Sequence, residues 1–185
     1  MKKSEAEKRL PDLLPAERFA RDHVAPRAGR TLIVGSFVAE GKEDRRARYP
    51  KVLGVDMRPG PGVDRVLNLE DQLPDDLGQF AHVECWSVLE HSRRPWLLAA
   101  NIERLMKPGA TLHLTVPFVW RYHDYPGDLW RFTHEAVQEL FPGIQWSAIR
   151  YASDKLRPDT YIRAREEEGH PYFPRTEVLG FGVKR

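Results

Sequence analysis

The sequence predicts one α/β domain built on a mostly parallel sheet. Three observations carry this expectation. Short apolar runs at 31–36, 52–57 and 81–87 read as strands, and the best helical period in the chain, 95–106, follows them. Strands that alternate with helices need crossover connections, which give parallel pairing. The stretch 51–64, finally, ends an apolar run on Asp56 and then blocks regular structure with Pro59-Gly60-Pro61-Gly62. No internal repeat or linker divides the chain, so residues 1–185 are expected to form a single domain.

Taken in order, Ser4 and Glu7 have capping-box spacing ahead of a short helix that Pro11 stops. Pro15 suits the first turn of a second helix, with Phe19 and Val24 on one face and Pro26 ending it. Residues 1–28 are therefore expected to be an N-terminal helical brace. Between the first two strands, 43–48 has the composition of a helix or an irregular loop. A short third strand is expected at 65–68 and a loop or weak turn at 74–78. In the helix at 95–106, Leu98, Ile102, Leu105 and Met106 share one face. Pro95 opens it, and Lys107-Pro108-Gly109 closes it. Residues 111–117 alternate, with Leu112, Leu114 and Val116 on one face against His113 and Thr115. Thr133 can cap a helix carrying Val137, Leu140 and Phe141, stopped by Pro142-Gly143. Strands at 145–151 and 177–184 complete the set. The polar excursion at 154–175 between them has no convincing helix, so these two can pair antiparallel.

Composition bounds the function classes. Hydrophobic residues make up 41% and charged residues 30% of the 185, the balance of a soluble globular chain. No apolar run approaches the roughly 18 residues of a membrane-spanning helix. Lys2 and Lys3 lead into Ser4, Glu5 and Ala6 rather than an apolar segment, so no secretory leader is expected and cytoplasm is the expected compartment. The single cysteine, Cys85, excludes an internal disulfide and a Cys-rich zinc site. Net charge is only +2, although Lys42, Arg45, Arg46, Arg48 and Lys51 crowd one segment. Such a cluster can dock nucleic acid or a phosphorylated substrate. The preferred reading is a solvated face partly cancelled by Glu43 and Asp44.

Asp56 points to a ligand. In open α/β sheets an acid at the end of the second strand accepts hydrogen bonds from ribose hydroxyls. Gly35 closes the first strand about 20 residues earlier, the spacing of a nucleotide-binding fold. A nucleotide-like cofactor is thus expected, beside the plainer reading that Asp56 caps a turn at a strand exit. Gly-x-Gly-x-x-Gly is absent, which leaves a nicotinamide or flavin dinucleotide little to sit on.

Several stretches carry a resemblance. They are Gly54-Val55-Asp56, Trp86-Ser87-Val88-Leu89-Glu90-His91, Leu105-Met106-Lys107-Pro108-Gly109-Ala110, Thr115-Val116-Pro117-Phe118, and the block from His123 through Asp128-Leu129-Trp130-Arg131-Phe132-Thr133. In this order, over 31–142, the chain resembles the class I S-adenosylmethionine-dependent methyltransferases, in the group whose fourth strand ends S-x-L-E-H and which carries a P-x-D-x-W-R-F-T block. The resemblance implies a Rossmann-like, seven-stranded, mostly parallel sheet with an antiparallel last strand and helices on both faces. It implies S-adenosyl-L-methionine as cofactor and methyl transfer to an oxygen or nitrogen of a small-molecule or surface-exposed acceptor. By position, Gly35 and Ser36 form the cofactor loop and Asp56 takes the ribose. Met57, Asn68 and Leu69 meet the adenine, and Trp86 and Ser87 line the methionine end. Ile33, Phe37 and Ala39 replace the usual acid and later glycines of the cofactor loop, and Ala81 opens the fourth strand where an acid is common. These departures define the alternative, a catalytically degenerate methyltransferase-fold binding or scaffold protein.

Methyl transfer needs a positioned nucleophile, and a base where that nucleophile carries a proton. His123, after the fifth strand, is the first candidate base and His91 the second. Tyr122, Asp128 and Arg131 are candidate substrate contacts, with an Asp128–Arg131 structural ion pair as the competing reading. Glu90-His91 can equally cap the following helix. His123-Asp124 and Glu90-His91 include metal-ligating types, but no ligand spacing compels a metal, and none is expected.

Overall fold

The computed structural model describes residues 28–123, 127–153 and 175–185. Along them run β1 (Thr31–Val34), a 3₁₀ turn (Arg45–Arg48), β2 (Val52–Asp56), β3 (Arg65–Val66) and a second 3₁₀ turn (Asp75–Leu77). Then come β4 (Phe80–Trp86), a third 3₁₀ turn (Leu89–His91), helix α1 (Pro95–Leu105), β5 (Met106–Pro117), helix α2 (His134–Leu140), β6 (Ile144–Ser153) and β7 (Arg175–Lys184). The strands form one seven-stranded sheet in the order β3-β2-β1-β4-β5-β7-β6. Pairing is parallel from β3 across to β5. The last strand, β7, is antiparallel to both β5 and β6. This is the Rossmann-like, seven-stranded, mostly parallel sheet with an antiparallel last strand expected from the sequence. The N-terminal brace (1–28) falls almost wholly, and the excursion after β6 largely, outside the described residues.

Element ends shift for local reasons. β1 stops two residues early because Gly35 turns to φ +69. β3 keeps only two residues, since Asn68 Oδ1 accepts from the Glu70 amide at 3.0 Å and bends the chain into an Asx turn. Helix α1 ends at Leu105, where Met106 becomes extended and enters β5. Residues 43–48 settle as a 3₁₀ turn capped by Asp44, whose carboxylate accepts from the Arg46 amide at 2.9 Å. Thr133 caps α2 as the sequence predicts, accepting from the Ala136 amide at 3.1 Å. Glu90 does not cap α1, which instead starts at Pro95 after Arg94.

The two sheet faces differ. Leu32 and Val34, Val83 and Cys85, and Leu112, Leu114 and Val116 point to one side, where they join Leu98 and Ile102 of α1, Val137 of α2 and Phe141 just after it in one buried cluster. The alternate residues His82, Glu84, Thr111, His113 and Thr115 are buried too. An alternating strand usually wets its polar side; here that side is closed and satisfied laterally. His82 Nδ1 lies 2.8 Å from Thr111 Oγ1, and the Trp86 indole donates to His113 Nδ1 at 3.0 Å. The Tyr49 hydroxyl donates to Glu84 Oε1 at 2.5 Å, and Arg45 reaches Glu84 Oε2 at 3.3 Å. Burial pushes the Glu84 carboxyl up, opposed first by the Arg45 charge.

The apolar face should dominate stability. Leu114 is fully buried at its centre, so Leu114→Ala is expected to cost about 2–5 kcal/mol. Urea unfolding followed by circular dichroism, with an unchanged slope, checks this.

Candidate cofactor site

The carboxyl ends of β1, β2 and β4 open on a cavity of about 810 Å³, a volume that includes the solvent at its open mouth. Of the residues singled out in the sequence, Gly35, Asp56, Met57, Asn68, Leu69 and Ser87 line it. Ser36 and Trp86 do not. They line a neighbouring cavity of about 920 Å³, which Ser87 also borders. Phe37, Arg58, Glu70, His91 and Ser92 complete the polar and aromatic wall of the first cavity. Arg58, Glu70 and Ser92 carried no motif signal; their place follows from where β2, β3 and β4 end.

Two loops shape this cavity. At Gly35 a Cβ would sit 2.4 Å from a methyl of Val88, and φ is positive, so only glycine fits. The Val38 amide donates to the Pro61 carbonyl at 2.8 Å and ties the loop after β1 to the Gly/Pro turn after β2. Gly60 in that turn leaves room for Phe37, since a Cβ there would meet the Phe37 ring at 2.3 Å. The Arg58 guanidinium covers the same ring at 5.0 Å from its centre. Phe37 is therefore held as a wall of the cavity.

Asp56 both caps the turn and faces the cavity. Its Oδ2 accepts from the Phe37 amide at 3.3 Å and its Oδ1 from the Arg58 amide at 3.1 Å. Each carboxylate oxygen can accept more than one donor, so the two readings of Asp56 coexist. Asp64, the second acid of the stretch, is spent differently. It accepts from the Gly54 amide at 2.7 Å and pairs with Arg46 at 2.5 Å. The basic segment is largely neutralised within the chain, with Arg45 on Glu84, Arg46 on Asp44 and Asp64, and Arg48 on Glu43.

Ser87 leaves β4 at φ +52 and is the one non-glycine residue with positive φ among the described residues, a strained conformation of the kind that collects at functional sites. The turn that follows meets the segment after β5. The Leu129 amide donates to the Glu90 carbonyl at 2.8 Å, and the Trp130 indole donates to the Ser92 carbonyl at 2.7 Å. His91 Nδ1 contacts the Gly127 carbonyl. His91 and His123 are thereby brought edge to face, with ring centres 4.9 Å apart. Glu90 is 1% exposed, and burial pushes its carboxyl up to about 8. Burial likewise holds His91 below the usual imidazole range, partly offset by the Gly127 carbonyl.

Asp128 and Arg131 do not line the cavity. Arg131 grips both Asp128 oxygens, at 2.5 and 2.6 Å, and also donates to the Trp120 and Arg121 carbonyls at 3.3 and 3.2 Å. Asp128 Oδ2 accepts from the His123 amide at 2.9 Å. The pair is thus a clamp on the loop that carries His123. Tyr122 is 69% exposed. Trp130 packs with Trp96 and Phe132.

No family model matches this sequence, and no curated protein matches it. Solved structures do share its fold. The N-methyltransferase NodS from Bradyrhizobium japonicum WM9, in complex with S-adenosyl-L-homocysteine, superposes with a TM-score of 0.62 at 12% identity, over 98% of this chain and 93% of that one. The 1,6-didemethyltoxoflavin-N1-methyltransferase of Burkholderia thailandensis gives 0.63 at 13% identity, over 97% and 81%. The [4+2]-cyclase SpnF gives 0.62 at 16% identity, over 91% and 79%. At such identities the likeness establishes the architecture, which these neighbours use for more than one chemistry.

The Arg131 hydrogen bonds hold the Asp128 carboxyl well below the usual carboxylate range. A depressed folded-state value means that the clamp stabilises fully above the unfolded value of about 3.9 and fades as pH falls below it. Asp128→Asn should therefore melt below the parent chain at neutral pH, with the gap narrowing at about pH 3. Thermal unfolding across that range checks the sign.

Proposed function

We propose that this protein transfers a methyl group from S-adenosyl-L-methionine to an oxygen or nitrogen of an acceptor. The observation that carries this reading is the convergence of Gly35, Asp56, Asn68, Leu69 and Ser87 on one cavity at the carboxyl edge of the sheet. The cavity fits the cofactor by its donor set. Asp56, anchored by two amides, keeps acceptor capacity for a ribose diol. Met57 and Leu69 offer apolar surface to an adenine, and Gly35, packed on Val88, brings the turn after β1 to the cavity wall. Ser36, 5% exposed, faces the neighbouring cavity instead. When bound, S-adenosylmethionine supplies an electrophilic methyl on a sulfonium. The chain's own work is to hold that methyl in line with the acceptor and to exclude water. His91, which lines the cavity, and His123 beside it are the groups on the acceptor side; His91 thus takes precedence as the residue nearest the transfer.

One second reading keeps an observation of its own. Ile33 is buried in register between Gly54 and Glu84, so β1 presents no acid to the cofactor's amino group. A catalytically degenerate binding protein on the same fold would show that feature. The two readings part on binding and turnover.

S-adenosylhomocysteine at 100 times its Kd should stabilise the native state by about 2.7 kcal/mol, read as a rise in Tm. Asp56→Ala should remain folded by circular dichroism and lose on the order of tenfold or more in calorimetric affinity, about 1.4 kcal/mol. Unchanged affinity in that variant removes Asp56 from the site. No Tm shift at millimolar ligand favours the degenerate binding protein.

A further inference from the structure

We propose that Glu90, His91 and His123 form a divalent-cation site beside the cofactor cavity, suited to a borderline transition ion such as Mn²⁺, Co²⁺ or Zn²⁺. Each residue offers a ligand atom, and these atoms all lie within 4.8 Å of one another. Two imidazoles and one carboxylate are the donor set that leaves coordination positions open on such ions.

The environment of each donor supports this assignment. Glu90 is 1% exposed, and its Oε2 has no hydrogen-bond partner among the described residues. A buried carboxylate oxygen without a donor is costly, and a cation would supply what is missing. Its Oε1 already lies 3.8 Å from His91 Nε2. The two histidines are oriented from behind. His91 Nδ1 meets the Gly127 carbonyl, which can only accept, so Nδ1 carries the proton and Nε2 keeps its lone pair. His123 Nδ1 meets the Arg121 carbonyl at 3.4 Å and lies 3.0 Å from Asp128 Oδ2, two groups that only accept, so its proton too sits on Nδ1. Asp128 is held in turn by Arg131. An imidazole that ligates through one nitrogen and donates from the other to a carbonyl or carboxylate is the arrangement that tunes metal-binding histidines. The clamp at Asp128 and Arg131 thereby acquires a reason to be rigid.

The site also has an open side, because His91 lines the cavity. A cation held there presents its remaining positions toward the acceptor side, where a hydroxyl or carbonyl oxygen is the natural ligand. That role rests on the methyltransferase reading; the cation site itself does not. Resting on that reading, the acceptor is an oxygen-bearing molecule that reaches the methyl while bound to the cation.

The test uses the full-length, tag-free chain titrated with CoCl₂ after chelator treatment, followed by visible d–d absorption and by Tm. One equivalent of Co²⁺ is expected to give ligand-field bands and raise Tm. Glu90→Gln and His123→Ala, each checked for folding by circular dichroism, should lose the bands. Asp128→Asn should retain them with affinity weakened about 10–100-fold, as loss of an orienting partner does. Absence of bands in the parent chain, or bands that persist in both ligand variants, overturns the proposal. S-adenosylhomocysteine binding is measured on the same preparations. Cobalt without cofactor binding leaves the cation site standing and removes the methyltransferase reading; cofactor without cobalt does the reverse.

Discussion

Two main-chain amides, those of Leu129 and Trp130, converge on the Glu90 carbonyl, and the rest of the candidate site depends on that junction. It joins the turn after β4 to the segment after β5, two pieces of chain that share no sequence neighbourhood. Each such hydrogen bond contributes only about 0.5–1.5 kcal/mol net, so the junction needs support. It comes from the Trp130 indole on the Ser92 carbonyl, from the Phe132 amide on the Pro117 carbonyl, and from Arg131 gathering Asp128 with two loop carbonyls. Without the junction, His91 would still border the cavity, but His123 would have no reason to meet it.

The sheet imposes the second constraint. Its apolar face packs under α1 and α2, while its other face buries a row of polar side chains that satisfy one another. Trp86 belongs to that polar row, bonded to His113 and covered by Arg45 at 4.5 Å. It therefore stays outside the cavity at the carboxyl edge even though the next residue, Ser87, borders it. The positive φ of Ser87 is the physical hinge between these two environments. The same polar layer consumes much of the basic segment before Lys51, since Arg45 is committed to Glu84. A local cluster of cations thus becomes structural charge pairing rather than a polyanion surface.

Much of the fold was legible because its determinants are local. Apolar runs, Pro95 at the start of α1 and Thr133 ahead of α2 all act within one or two turns, and they placed the elements to within a few residues. Asp56 was legible for the same reason, a carboxylate at the end of a strand. Trp86 was misplaced relative to the cavity because strand alternation decides which way it points, and one residue of register moves a side chain to the opposite face; Ser36 was misplaced because Gly35 turns the chain just before it. Glu90, His91 and His123 stood out in the sequence only as metal-ligating residue types, with no spacing to compel a site. The two pieces lie more than thirty residues apart in the sequence, and only the loop junction brings them together. Asp128 and Arg131 had the spacing of an ion pair, and the structure uses them as one.

The position of β7 has a consequence for synthesis. In the sheet order β6 is an edge strand whose one neighbour is β7. The chain emerging from the ribosome therefore completes β6 well before its partner exists, while the outer edge of β5 also waits for the same strand. Until residues 175–184 are available, two lines of unpaired backbone groups stay open at once, the kind of edge that recruits other chains. The insertion of a single late strand closes both, so the vulnerable interval in the life of this protein is set by the length of chain between β6 and β7.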